Sequence, residues 1–218
     1  MLEFLLNTII AMSKGVGYTV SLFVITIIFS MPLGLLCTFM SNGKNPVLRA
    51  ITRAYVFVMR GTPLMLQLFF FYFGITKIPF IGQFLVMERF TAACVTFVLN
   101  YAAYFCEIFR GGLLSVDKGQ YEASKVLGLT KWQTTVRIVL PQMFKVVLPS
   151  VSNEAITLVK DTALITAIGI MDLMHITKSL VNGSAGSIEP FIVAAVFYLM
   201  VTFGLTKLFN YLEKKFMF

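Results

Sequence analysis

Between Lys14 and Lys44 the chain reads GVGYTVSLFVITIIFSMPLGLLCTFMSNG (residues 15–43), without one charged side chain. At ~1.5 Å per helical residue, that run is long enough to cross the ~30 Å hydrocarbon core of a bilayer. Shorter charge-free runs lie at Gly61–Thr76, Phe90–Cys106 and Pro190–Thr206. Each is near the lower limit for a span, and flanking Arg, Lys and Glu extend it by snorkelling to the interface. A fifth segment, about Val146 to Met171, is long enough but carries Glu154, Lys160 and Asp161. The pattern predicts an all-α membrane protein with five transmembrane helices. At 58% hydrophobic and 13% charged residues, the chain is too apolar for an ordinary soluble domain.

Residues 1–218 read as a single transmembrane domain with no internal repeat or low-complexity tract. Met1–Met12 lacks a basic leader and a small-residue cleavage site, and reads as an interfacial helix leading into the first span. The net charge of +8 raises nucleic acid as a partner, but the positions of the charges argue against it. Lys44, Arg49, Arg53 and Arg60 lie between the first two spans. Arg110, Lys118, Lys125, Lys131, Arg137 and Lys145 lie between the third and fourth, and Lys207, Lys214 and Lys215 follow the last. The opposite side holds Lys14, Lys77, Arg89 and Lys178. An excess of basic residues marks cytoplasmic loops, so the N-terminus is expected outside and the C-terminus in the cytoplasm.

The outward loops are short. One lies around Lys77–Arg89, with Pro79 and Gly82 as breakers. The other, around Asp172–Glu189, contains the turn sequence Asn182-Gly183-Ser184-Ala185-Gly186-Ser187. Glu189-Pro190 then suits the first turn of the last helix. Cys37, Cys94 and Cys106 fall in apolar segments at no metal-ligand spacing and read as buried structural thiols, with no metal site expected.

The sizeable polar region is the loop at residues 110–145. Tyr121 to Leu127 reads as a short helix stopped at Gly128, with Glu122 in its first turn, where a negative charge is favoured. Thr130 suits the cap of a second helix that Pro141 interrupts. Ala123 and Ser124 are small and permit close approach, while Ile138 and Leu140 anchor the loop against the bundle. Two short helices joined by a glycine turn form a compact cytoplasmic knob able to fit a groove on another protein.

The spacing Glu122-Ala123-Ser124, three residues to Gly128, then nine to Ile138-Val139-Leu140-Pro141 resembles the E-A-A loop of bacterial ABC importer permeases. Ser124 replaces the usual alanine, a small-for-small change. Arg60-Gly61-Thr62-Pro63-Leu64 with Gln67-Leu68-Phe69-Phe70 resembles the second-span signature of polar amino acid permeases. So do Glu107-Ile108-Phe109-Arg110-Gly111-Gly112, Lys118-Gly119-Gln120, and Asn153-Glu154 followed by Leu158 to Leu164. Ala163 stands where that family often has serine. The chain is thus similar, over about residues 15 to 215, to the histidine/glutamine/glutamate/arginine-type permeases.

The resemblance implies a multi-pass protein of the bacterial plasma (inner) membrane, acting as the permease subunit of an ATP-driven importer. Glu122, Ala123, Ser124 and Gly128 would couple it to an ABC ATPase dimer. A second permease copy or homologue would complete the pathway, and an extracytoplasmic binding protein would deliver the amino acid. The chain contains no Walker A sequence and no catalytic residues, so ATP and Mg would bind the partner ATPase and no cofactor this chain.

A charge inside a span usually faces a partner or a wet cavity. Glu154 and Asp161 are two helical turns apart and share a face with Thr157 or Leu158; Asn153 and Lys160 share the neighbouring face. Asn100, Tyr101 and Tyr104 cluster on the third span, and Glu107 stands one turn further, three residues before Arg110, as an ion-pair partner. The expected substrate residues are Asn100, Glu154, Lys160 and Asp161. The acids would hold ammonium groups, a carboxylate would bind Lys160, and two acids suit a cationic amino acid. Equally, Lys160, Asp161 and Glu154 satisfy one another as helix–helix glue. His175, the lone histidine, cannot form a metal site alone. An ion-coupled transporter or channel using Glu154 and Asp161 is the main alternative, although no inverted repeat is visible. An intramembrane enzyme lacks paired catalytic residues.

Overall fold

The computed structural model describes residues 2–80, 82–183 and 186–217, and among these there is no strand. Helix α1 (Leu2–Ser41) runs unbroken for 40 residues despite Pro32. The interfacial helix expected at Met1–Met12 is therefore not separate: from Leu2 onward it is the first part of α1. No Gly or Pro stands between Leu2 and Lys14 to turn the chain, and Met1 lies outside the described residues.

Helix α2 (Pro46–Gly61) occupies what the sequence reads as a loop. Its start has a clear local cause, since the Asn45 side chain accepts from the Val47 and Leu48 amides and Pro46 occupies the first turn. Arg49, Arg53 and Arg60 lie along one face, while Val47, Ile51 and Val58 are exposed on another, an arrangement suited to a membrane interface. Helix α3 (Leu64–Phe69) continues through a wide π turn at Phe70–Gly74 and a tight turn at Ile75–Lys77. It leaves α2 at an angle of 107°.

Helix α4 (Arg89–Ser115) is followed by α5 (Lys118–Val126) and α6 (Lys131–Thr134). Helix α7 (Leu140–Asp161) grows from α6 through a π turn at Thr135–Val139. Pro141 therefore does not interrupt the helix as expected. It sits in the first turn of α7, and the wider turn before it accommodates the residue that lacks an N–H. A 3-10 stretch at Thr162–Ile168 ends at left-handed Gly169 (φ 75°), and Asp172 caps α8 (Leu173–Gly183) by accepting from the Met174 and His175 amides. The outward loop expected from Asp172 is thus largely helical, and the turn residues Ser184 and Ala185 lie outside the described residues. Helix α9 (Glu189–Met217) closes the chain.

Three helices (Leu6–Ser41, Arg89–Ser115 and Glu189–Phe216) are each long and apolar enough to span. Two bent pairs, α2 with α3 and the α6–α7 rod with α8, qualify only when taken together, giving three to five candidate spans. Helix α4 is the centre of the bundle, with 61% of its apolar window buried against 6% for α9. Phe97, Tyr101, Phe105 and Phe109, spaced one turn apart, form its buried stripe and pack with Leu22, Leu68, Met143, Val147 and Leu158.

Contacts along the helices fix their directions. Tyr18 meets Phe90 with ring centroids 5.6 Å apart, and Thr38 donates to the Cys106 carbonyl at 3.0 Å, so α1 and α4 run parallel. Tyr101 contacts Asp161 while Gly112 lies against Met143 and Val147, so α4 and α7 are antiparallel. The C-terminal ends of α1 and α4 and the start of α7 consequently share one end of the bundle, where the basic loops lie. Cys37 and Cys106 are buried, Cys94 is half-buried, and all three are free.

Close approach of α1 to α4 depends on Gly34, where an added Cβ would lie 2.7 Å from Phe105 Cβ and 2.9 Å from the Ala102 carbonyl oxygen. Gly17, by contrast, has nothing within 4 Å. Gly34→Leu is expected to destabilise the fold by ~1–3 kcal/mol or more through overpacking, with Gly17→Leu near neutral. Thermal unfolding of the two variants in the same detergent checks this.

Candidate functional site

The site begins at a break in the helices. Thr62 and Pro63 are extended between α2 and α3, because Pro63 disfavours the helical conformation at Thr62 and brings no N–H of its own. Such a break frees backbone carbonyls that must find donors away from water. Gln67 Nε2 donates to the Met59 carbonyl at 2.8 Å, the Thr62 carbonyl at 3.1 Å and Thr62 Oγ1 at 2.8 Å. Asn100 Nδ2 donates to the Met59 carbonyl and to Gln67 Oε1, each at 3.0 Å. The Tyr55 hydroxyl donates to the Leu99 carbonyl and ties α2 to α4 beside them. Asn100 is thereby a brace for the break, with its amide nitrogen already engaged.

Beside the break lies a cavity of about 630 Å³. Residues 60–65 form one wall; Asn100, Tyr101 and Tyr104 of α4 form another; Glu154, Thr157 and Asp161 of α7, with Leu164, complete it. The two acids share the helix face that their spacing predicts, with Thr157 between them. Asp161 Oδ2 accepts from the Tyr101 hydroxyl at 2.7 Å, while Glu154 receives no side-chain hydrogen bond among the described residues.

Three of the four expected substrate residues thus come together, and Lys160 does not. It lies on the neighbouring face, in a separate cavity of about 260 Å³ with Ala163, Met174, Ala194 and Tyr198. No ion pair joins it to Glu154 or Asp161 among the described residues, so mutual neutralisation of the three side chains is not what holds α7. The cation at the main cavity among the described residues is Arg60, which in the sequence stands among the basic residues between the first two spans and opens the second-span signature. Its guanidinium stands 5.4 Å over the Tyr104 ring and 3.7 Å from Glu107. Glu107 is held chiefly by Arg110, at 2.6 to 3.1 Å, the ion pair that the spacing predicts. A second cavity, about 620 Å³, lies toward the basic end, lined by Ser41, Arg53, Glu107 and Arg110. It shares Arg60, Gly61 and Tyr104 with the first, so these residues stand between the two. Tyr101, Tyr104 and Thr157 also join the site. The polar character of the tyrosines is visible in sequence, but the bend that turns Arg60 inward is not.

At the basic end, α5 starts at Lys118 with Asp117 as its cap, one turn earlier than expected. Glu122 is therefore mid-helix rather than in the first turn, and it is exposed along with Ala123. Ser124 is buried and donates to the Gln120 carbonyl at 2.6 Å. Gly128 (φ 72°) makes the left-handed turn that ends α5, and a capping box of Thr130 and Gln133 starts α6. Val126, Leu127 and Trp132 are 87%, 75% and 75% exposed, leaving the knob with an apolar tip. Val139 and Leu140 root it in the core.

Residues 30–217 match the family described as binding-protein-dependent transport system inner membrane components. The chain belongs to that family. It is a multi-pass protein of the plasma (inner) membrane and the non-catalytic membrane subunit of an ABC transporter; the gradient-driven and enzymatic alternatives fall away. Among its relatives, the octopine transport system permease protein of Rhizobium radiobacter is 36% identical over 96% of this chain and 87% of its own. The glutamine transport system permease protein of Escherichia coli is 33% identical over 93% and 91%. A crystal structure of an amino acid ABC transporter with histidines superposes with a TM-score of 0.84 at 30% identity, covering 94% of each chain. The inward-facing methionine transporter MetNI shares the fold alone, at a TM-score of 0.73 and 19% identity.

Asn100→Ala in this family member is expected to lower stability by ~1–3 kcal/mol, because the Met59 carbonyl and Gln67 lose a buried donor. The thermal midpoint of the purified protein, with Tyr104→Phe as a control that leaves the braces of the break in place, measures that loss.

Proposed function

We propose that this chain is the permease subunit of an ATP-driven importer that moves a polar amino acid into the cell by alternating access, with the 630 Å³ cavity as its substrate site. The observation that carries the reading is the placing of Glu154 and Asp161 on one wall of a cavity beside a helix break. Discontinuous helices near the midplane are where transporters hold polar solutes, since the broken backbone and the solute share one wet space. Glutamine and octopine permeases are among the relatives, and an amino acid transporter is a structural neighbour, which supports an amino acid as solute.

In this reading the N-terminus is outside and the C-terminus cytoplasmic, because the basic residues gather at the end that carries α5 and α6. The knob of α5 and α6 docks onto an ABC ATPase dimer. Glu122, Ala123, Ser124 and Gly128 shape its contact, and Val126, Leu127 and Trp132 supply apolar area. ATP and Mg bind that partner. A second permease copy or a homologue completes the membrane assembly, and the sparsely buried α9 is available to it or to lipid. A binding protein delivers the amino acid from outside. ATP-driven closure of the ATPase dimer pushes the knobs together, and the α6–α7 rod transmits that movement to the wall bearing Glu154 and Asp161.

Two variants test the halves of this reading. Glu122→Arg is expected to abolish co-purification of the ATPase while the permease still inserts; a fully coupled variant contradicts the docking assignment. Glu154→Gln is expected to weaken amino acid affinity about 10- to 100-fold, equivalent to the ~1.5–3 kcal/mol of a charge-assisted contact, with basal ATP hydrolysis intact. Concentration-dependent uptake into proteoliposomes reads the second effect.

A further inference from the structure

We propose that the second cavity, about 620 Å³ at the basic end, binds the phosphate of an anionic phospholipid, held by Arg53 of α2 and Arg110 of α4. This cavity adjoins the proposed solute cavity at Arg60, Gly61 and Tyr104, but the assignment rests on its outer part and holds whatever the inner cavity carries. Its charged lining is weighted to one sign. Arg53, Arg60 and Arg110 stand against a single carboxylate, Glu107, among the described residues. Glu107 is already engaged, since Arg110 Nε and Nη2 donate to it at 2.6 to 3.1 Å and Arg60 stands 3.7 Å away. Arg53 and the Nη1 group of Arg110 are left without an acceptor among the described residues.

The neighbouring sequence supplies no acid to balance Arg53. Between Glu3 and Glu88 there is no Asp or Glu, so α2 carries Arg49, Arg53 and Arg60 with no acidic residue on the helix or its flanks. Arg49 and Arg53 are four residues apart, a like-charged spacing that destabilises a helix unless an anion lies beside it. At the end of α1 the polar donors are spent, because Ser41 Oγ and Asn42 Nδ2 both donate to the Thr38 carbonyl, at 2.9 and 3.0 Å. Guanidinium N–H groups are therefore what the cavity has to offer, and their planar fork fits two phosphate oxygens.

The rim of the cavity selects a lipid over a free phosphate. Phe57 and Leu114 line it and are 79% and 71% exposed, and Ile51 and Val58 extend the exposed apolar surface of α2. A free phosphate has nothing to place against these side chains. A phospholipid lays its acyl chains along them while its headgroup phosphate meets the guanidinium groups, the pairing that basic residues make where they flank the apolar core of a bilayer. Because Arg53 belongs to α2 and Arg110 to α4, the phosphate bridges the two helices on the basic side of the break that Gln67 and Asn100 brace.

Native mass spectrometry of the full-length chain, purified with its ATPase subunits and titrated with dioleoylphosphatidylglycerol or dioleoylphosphatidylcholine, tests this. The unmodified complex is expected to bind phosphatidylglycerol about tenfold tighter than phosphatidylcholine. Arg53→Gln is expected to bring the two lipids to about equal affinity, whereas Arg49→Gln, which removes the same charge from α2 outside the cavity, keeps the preference. Unchanged phosphatidylcholine binding shows that Arg53→Gln folds. If that variant does not assemble, Leu114→Glu decides, because it sets a carboxylate against the phosphate from an exposed position. Persistence of the preference in the deciding variant overturns the site, and its equal loss in Arg49→Gln reduces the effect to diffuse surface attraction and overturns it too. Sodium phosphate at the lipid's concentration is expected to displace none of the bound phosphatidylglycerol; displacement overturns the lipid as occupant in favour of a free anion. Equal binding of both lipids by the unmodified complex overturns the proposal outright.

Discussion

The hydrogen bonds that Gln67 and Asn100 make across the α2–α3 break are what the rest of the structure depends on. In a bilayer, a helix that stops must still satisfy its freed carbonyls, from protein donors or from a water-filled cavity. Two side-chain amides, one from α3 and one from the central helix α4, take on that task. With the break held, α2 can lie at 107° to α3. Its last turn then carries Arg60 to the edge of the cavity, against Tyr104 and Glu107. The cavity and its positive pole are thus consequences of one proline-directed interruption and the amides that make it tolerable.

The same physical logic recurs at the other irregular points. Pro141 is accommodated by a π turn rather than a break, so the knob and the acid-bearing wall form one rod from Lys131 to Ile168. At the far end the chain bends by 57° after Gly169, and Arg89 donates to the Gly169 carbonyl at 3.1 Å and to the Tyr72 hydroxyl oxygen at 3.2 Å. At the α2–α3 break and at the Gly169 bend alike, a side chain of α4 donates to a carbonyl of the irregular backbone. In the proposed importer, a rod with the knob at one end and Glu154 and Asp161 further along suits the transmission of a push from the ATPase to the solute.

Much of this was legible in the residues. The charge-free runs located the apolar segments, the seven-residue spacing put Glu154 and Asp161 on one face, and the three-residue spacing paired Glu107 with Arg110. Local chemistry also announced the Gly128 turn and the Thr130 cap. What was not legible depended on direction rather than periodicity. Nothing in Leu2–Lys14 marks where a continuous helix meets the interface, and α2 was hidden because its arginines read as a loop, although Asn45-Pro46 is a helix start. That Asn100 also braces the break was not legible, because its partners, the Met59 carbonyl and Gln67, are brought to it only by the tertiary fold. The tertiary fold also decides which cation lines the cavity: one helical step puts Lys160 on the neighbouring face of α7, in a separate cavity, and the α2–α3 bend brings Arg60 to the main one.

The central claim is that the cavity beside the α2–α3 break is where the amino acid sits. A cryo-electron-microscopy map of the complete complex, prepared without ATP and with a saturating transported amino acid, tests it most directly. Ligand density is expected between Arg60 and the Glu154–Asp161 wall, with the Gln67 and Asn100 braces intact. An ordered ligand elsewhere in the membrane domain, with this cavity empty, would contradict it.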